Sequence, residues 1–161
     1  MRDDMLIIDT RFNNNQPIHN RHIRGHLNDT NRYELRSNMV NLIYKELSYK
    51  ITGLAMKVHG QLGYGFLEKV NENALSILLR REGLKVQTQH PITVHFEGEV
   101  VGQYFADMLV EDKILLELKV AERISSRHMA QTLNYLKATN LKLALILNFG
   151  PKRLESHRVV N

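Results

Sequence analysis

A chain of 161 residues can bury one substantial core but not two, so a single catalytic or binding unit is expected. Its 43% hydrophobic and 24% charged residues, with a mean hydropathy of −0.33, suit an ordinary globular domain, and no apolar run approaches the roughly 20 residues that span a bilayer. The absence of cysteine excludes disulfides, thiolate nucleophiles and cysteine-held metal centres, while a net charge of +5 permits contact with a polyanion without requiring it. The opening MRDDMLIIDTRFNNNQ places acids where an export signal needs a basic start and a long apolar stretch, so a cytoplasmic chain with no membrane association is expected.

Residues 1–40 read as a mobile N-terminal extension, carrying Asn13, Asn14, Asn15, Asn20, Asn28, Asn31 and Asn38 and no sustained apolar pattern; residues 41–161 read as the folded domain. His19, His22 and His26 sit among arginines with no carboxylate placed to orient their rings, which favours a solvated tail over a metal site. From about residue 42, Leu47, Ile51, Leu54, Val58 and Leu62 recur at the spacing of one buried helical stripe. Gly63, Tyr64 and Gly65 break that helix. A second pattern runs from Phe66 to about Glu82, with Leu67, Val70, Ala74, Ile77 and Leu78 expected inside and Gly83 expected to end it.

Three strand patterns follow. The first covers Val86 to Phe96, where Ile92, Val94 and Phe96 alternate with Thr93 and His95 and Pro91 argues for an edge or a bulge. The second covers roughly Val100 to Val110 and the third Ile114 to Val120, joined by the acidic turn Glu111, Asp112, Lys113. Ser125 or Ser126 can cap a helix running to about Thr139, the apolar run Leu143 to Leu147 suits a buried strand, and a short strand near Ser156 to Val160 can close an edge. The fold class is therefore α/β of the α+β type: helix, three-stranded antiparallel meander, helix, strand, with helices flanking a central mixed sheet.

Chemistry concentrates in FADMLVEDKILLELKV, where Asp107 ends one apolar strand and Glu117 and Lys119 interrupt the next. Alternation puts Glu117 and Lys119 on one strand face, with Leu116, Leu118 and Val120 on the other. Asp107 joins them only if the hairpin register pairs it with Glu117, which needs an odd loop such as Glu111 to Lys113; that register also sets Met108 against Leu116 and Val110 against Ile114. Two adjacent carboxylates repel unless a cation neutralises them, and with no thiolate in the chain a hard ion such as Mg2+ or Mn2+ is the economical choice. A lysine beside them can orient the attacking water and stabilise charge developing on a phosphate. The plain alternative, solvated charges on an exposed strand, fits poorly with neighbours this apolar.

The acid, then E-x-K, then Q-x-x-x-Y resembles the PD-(D/E)XK nuclease superfamily over about Glu46 to Asn161. More narrowly, GYGFLEKVNENAL, ADMLVEDKILLELKV, AQTLNYLKATNLKLALILNFG and the terminal RVV resemble its GxxExxY family. The resemblance implies a restriction-endonuclease-like core with the element order derived above, and a Mg2+-dependent nuclease acting on nucleic acid, with DNA the expected polymer and a homodimer left open. It implies Asp107, Glu117 and the Leu118 carbonyl as metal ligands, Lys119 as the catalytic lysine, Glu68 as the helical glutamate approaching the metal, and Gln131 and Tyr135 lining the site near the substrate. The family's motif tyrosine is replaced here by Asn71, which can hydrogen-bond but cannot stack on a base. Arg127 and His128, at the start of the later helix, are the further candidate substrate contacts, and His59, His90 and His95 have no partner spacing. A non-catalytic binding module on the same fold, or a phosphoesterase with a closed pocket, are the rival readings. The surface positions of Lys85, Lys113, Arg123, Arg127, Lys137 and Lys142 would help to separate them.

Overall fold

The computed structural model describes residues 43–161, so the extension over 1–40 and its three histidines lie outside the described residues. Helix α1 spans Lys45–Leu62 and buries Ser48, Ile51, Ala55 and Val58, with Leu47, Leu54 and Leu62 half-buried at the margins of the core, as the apolar stripe requires. Helix α2 spans Glu68–Arg81 and departs from expectation in its orientation. Its buried residues are Asn71, Glu72, Leu75, Ser76 and Leu79, whereas Leu67, Val70 and Ile77 are exposed. The helix carries apolar residues on more than one side, and the face that packs is rotated by about one residue, roughly 100°. That rotation brings two polar side chains, Asn71 and Glu72, into the interior. Gly83 ends the helix as expected, at φ +78, with its N–H on Arg80 O and the Leu84 N–H on Leu79 O, so the last turn closes its carbonyls in a left-handed cap.

Strands β1 (Val86–Phe96), β2 (Glu99–Val110), β3 (Ile114–Lys119), β4 (Leu143–Phe149) and β5 (Leu154–Val160) form one sheet in the order β1-β2-β3-β4-β5. β1, β2 and β3 make the antiparallel meander, β4 joins β3 in parallel, and β5 returns antiparallel to β4. A parallel neighbour cannot be reached through a tight turn, and helix α3 (Ser126–Thr139) supplies the crossover. The central strands are covered on both faces, which is why ILLELK and LALILNF read as apolar runs with little alternation. β1 is an edge strand, where the missing N–H of Pro91 costs no ladder bond.

The sheet separates two cores. Met108, Val110, Ile114, Leu116 and Leu118 pack with α1 and α2, while Ala106, Leu115, Ala144 and Ile146 pack with Met129, Tyr135 and Leu136 of α3. Among the described residues, no helix is long and apolar enough to cross a membrane.

Candidate active site

The β2–β3 hairpin sets the site. Met108 pairs with Leu116, Leu109 with Leu115 and Val110 with Ile114 across a three-residue connection in which Glu111 and Asp112 take φ of 54° and 51°. This is the register expected from the apolar pattern, and the paired residues end at Met108 and Leu116, one step short of Asp107 and Glu117. Asp107 Oδ2 accepts a 2.6 Å bond from the Leu118 N–H, which ties the acid to β3. The alternation of β2 breaks here: Met108 lies in one core and Ala106 in the other. On the neighbouring strand, Thr88 pairs with Met108 and His90 with Ala106, and the intervening Gln89 is kinked at φ 52°. Local departure from extended geometry on both strands thus turns the backbone at the acid.

Glu117 and Lys119 project from β3 on the α3 side, the side of Leu115. Glu117 is only 4% exposed, its Oε2 lies 3.4 Å from Lys119 Nζ, and its Oε1 has no hydrogen-bond partner. Burial, then the charge of Asp107, push the Glu117 pKa up to about 7 against the opposing pull of Lys119. Asp107 is also raised, first by burial and further by Glu72 and Glu68, while the Leu118 N–H and Lys119 hold it down. An orphaned carboxylate oxygen beside a second carboxylate is what a hard cation would satisfy, and the donor set of two carboxylates and backbone oxygen suits Mg2+ or Mn2+. Among the described residues no three His, Asp or Glu side chains form a cluster able to hold an ion, so such an ion would complete its shell with carbonyl oxygen and water.

The other expected residues fall around this pair. Glu68, at the start of α2, accepts from the Val120 N–H at 3.3 Å and so reaches the end of β3. Gln131 is exposed and donates its amide to the Tyr135 hydroxyl at 2.8 Å. Tyr135, expected to line the site, is buried beside Met129 and Leu136, where the bulk of its ring closes the core while its hydroxyl accepts from Gln131. Burial raises the Tyr135 pKa, and the charges of Glu117 and Lys119 are felt there too; the ring packs with Leu115 on the β3 face that carries both. Arg127 is exposed. His128 closes a capping box with Ser125: each backbone N–H bonds the other's side chain, at 3.3 and 3.4 Å. Asn71 is 2% exposed and donates weakly to Leu67 O, so it is not displayed on the surface. His59 has found a partner that its spacing did not announce, the Gly150 carbonyl at 2.8 Å.

Two neighbours of the site escaped the sequence. Glu72 is buried at 3%, held by Lys69 at 2.6 Å and Gln89 at 3.0 Å, and its charge reaches Asp107. Its signal was present as a carboxylate inside the stripe Glu72, Leu75, Leu79, at helical spacings of three and four. Tyr104 lies with its ring centroid 5.8 Å from that of Tyr135. Together the two rings border a groove of about 880 Å3 between α3 and the β1–β2 hairpin, which Arg127, Gln131 and Lys137 also line. Lys85 instead pairs with Asp112, and Lys113, Arg123 and Lys142 are exposed and do not line the groove.

A protein designated SSO0001 has a similar structure, at 16% identity and a TM-score of 0.47, over 58% of this chain and 50% of its own. An alkaline exonuclease (LHK-Exo) from Laribacter hongkongensis is similar at 13% identity and a TM-score of 0.44, over 68% of each chain. The chain thus spans half the length of the first of these, and neither likeness bears on the chemistry. The chain matches no curated protein. At the level of sequence families, the one described as the PD-(D/E)XK nuclease superfamily matches residues 45–159, from the start of α1 almost to the end of β5. With the helices, nearly all of the sheet and the acidic pair inside that match, the chain belongs to the PD-(D/E)XK nuclease superfamily.

Proposed function

We propose that the chain is a metal-dependent nuclease that hydrolyses phosphodiester bonds of nucleic acid, DNA being the expected polymer, with Mg2+ or Mn2+ held by Asp107, Glu117 and the Leu118 carbonyl. The observation that carries this reading is Glu117: buried, unpartnered at Oε1 and raised to about 7 beside Asp107. A carboxylate in that position is costly to the fold and is explained by a cation it is there to bind. When bound, the ion would supply Lewis-acid polarisation of the phosphate and a lowered pKa for the attacking water.

The chain's own residues supply the rest. Lys119, its side chain 18% exposed and its Nζ beside Glu117, stands where it can orient that water and stabilise charge developing on the phosphate. Glu68 steadies the end of β3 through the Val120 N–H and adds negative charge at the mouth of the site. Gln131 and Tyr135 border the substrate side, Arg127 offers charge to a phosphate, and His128 contributes from the cap of α3. Asn71, buried with its Oδ1 unpartnered, is not displayed to a substrate. Within the superfamily we assign the chain to the GxxExxY family on Gly65, Glu68 and the motifs that follow, and to the cytoplasm.

The test separates ligand from catalyst. Lys119→Met is expected to lower cleavage by about 10²–10⁴-fold while magnesium and nucleic-acid binding persist, because the lysine acts on the chemical step. Glu117→Ala is expected to lose both magnesium binding, measured calorimetrically, and turnover. Cleavage by Lys119→Met at the wild-type rate would remove Lys119 from the chemical step, and absence of cleavage by the wild type over a panel of nucleic acids in magnesium or manganese would remove the nuclease assignment and leave a non-catalytic binding module on the same fold.

A further inference from the structure

We infer that the groove beside the acidic pair is built to take single-stranded nucleic acid, with Tyr104 as the platform on which an unpaired base stacks; this rests on the nuclease reading and names its substrate class. The first observation is how Tyr104 is held. A Cβ added at Gly102 would come within 3.0 Å of the Tyr104 ring, so the ring lies back over the glycine two residues earlier on its own strand. Only the missing side chain leaves room for it there. Tyr135 stands against it at a centroid separation of 5.8 Å and a tilt of 43°. Tyr104 is nevertheless 49% exposed. A ring supported from below and beside, yet half open to solvent, presents an aromatic surface to whatever enters the groove.

The second observation is charge. None of the residues lining the groove is an Asp or Glu, while Arg127 and Lys137 both line it, and α3 between them carries no acid at all. They are ten residues apart on the helix, about 15 Å at the helical rise. At roughly 3.4 Å per stacked nucleotide that interval covers about four phosphates, so the groove tracks a run of backbone and not a single nucleotide. Tyr135, which lines the groove, packs in one core with Leu115, on the β3 face that carries Glu117 and Lys119, so a strand lying along α3 lies on the side of the sheet to which the acidic pair belongs.

Aromatic faces flanked by cations bind single strands with little sequence preference, because every base has a face to stack. In a duplex both faces of an interior base are covered by its neighbours, and exposing one costs a few kcal/mol. A stacking ring set inside a groove therefore discriminates by strandedness.

The experiment measures binding of a short fluorescent oligothymidylate and of a duplex of equal length to the full chain in chelator, together with cleavage of both in magnesium or manganese. Tyr104→Ala is expected to weaken single-strand binding by about 5- to 150-fold, the equivalent of one lost base stack, and to leave duplex binding near its weaker wild-type value. Tyr104→Phe keeps the ring and is expected to bind as wild type, and Gly102→Val, which displaces the ring, to weaken single-strand binding as the alanine does. Melting curves of each variant confirm that the fold survives. Single-strand binding indifferent to Tyr104→Ala, or equal affinity and equal cleavage of both polymers, overturns this inference and leaves the nuclease reading standing. Binding that depends on Tyr104 with neither polymer cut leaves the inference standing and removes the nuclease reading instead.

Discussion

Glu117 shows at the scale of one residue how a fold can store instability for use. Its pKa stands near 7 in the folded chain against an ordinary 4.5, first because it is buried and then because Asp107 is beside it. The folded state therefore binds the proton more tightly than the unfolded state does. That contribution to stability is complete below about pH 4.5 and is lost as pH rises through about 7, a change on the order of 3 kcal/mol. In chelator, the melting temperature is expected to fall between pH 5 and pH 8 by more in the wild type than in Glu117→Gln, whose amide does not titrate. Magnesium is expected to recover the loss at pH 8 in the wild type and not in the variant, since a ligand bound only by the folded state stabilises by mass action. Equal pH profiles for the two proteins would contradict the placement of a titrating, buried Glu117.

Among the elements, α2 and α3 carry the instructive departures. The amphipathic pattern identified α2 but not the side it buries, and the buried set Leu75 and Leu79 makes a sharp prediction against the exposed Ile77. Leu79→Ala is expected to cost about 2–5 kcal/mol in denaturant unfolding, and Ile77→Ala less than about 0.5 kcal/mol. Comparable losses would mean that the helix sits the other way round. For α3, the hydroxyl of Ser125 accepts from the His128 N–H, so Ser125→Ala is expected to cost about 1 kcal/mol. Because that helix carries Arg127, Gln131 and Tyr135, the same variant tests whether its first turn matters to binding as well as to stability.

For the whole molecule, we propose that residues 41–161 are a self-sufficient unit, on the family match over residues 45–159 and the packing of α1 to β5 into two cores. Removing residues 1–38 is expected to leave the melting temperature and cleavage unchanged; a large drop on truncation would show that the extension completes the fold. The order of elements and the hairpin register were legible in the sequence, and with them the approach of Asp107 to the strand that carries Glu117 and Lys119, because each depends on local periodicity and on the length of one short turn. Charges interrupting an apolar strand announce themselves for the same reason. Only the tertiary structure decided which face of α2 turns inward, and with it the burial of Glu72 and Asn71, because apolar residues on several sides of a helix leave its rotation to the surface it meets. The partnership of Tyr104 with Tyr135 was likewise invisible, since the two rings come from a strand and a helix 31 residues apart, brought side by side by the way α3 lies across the sheet.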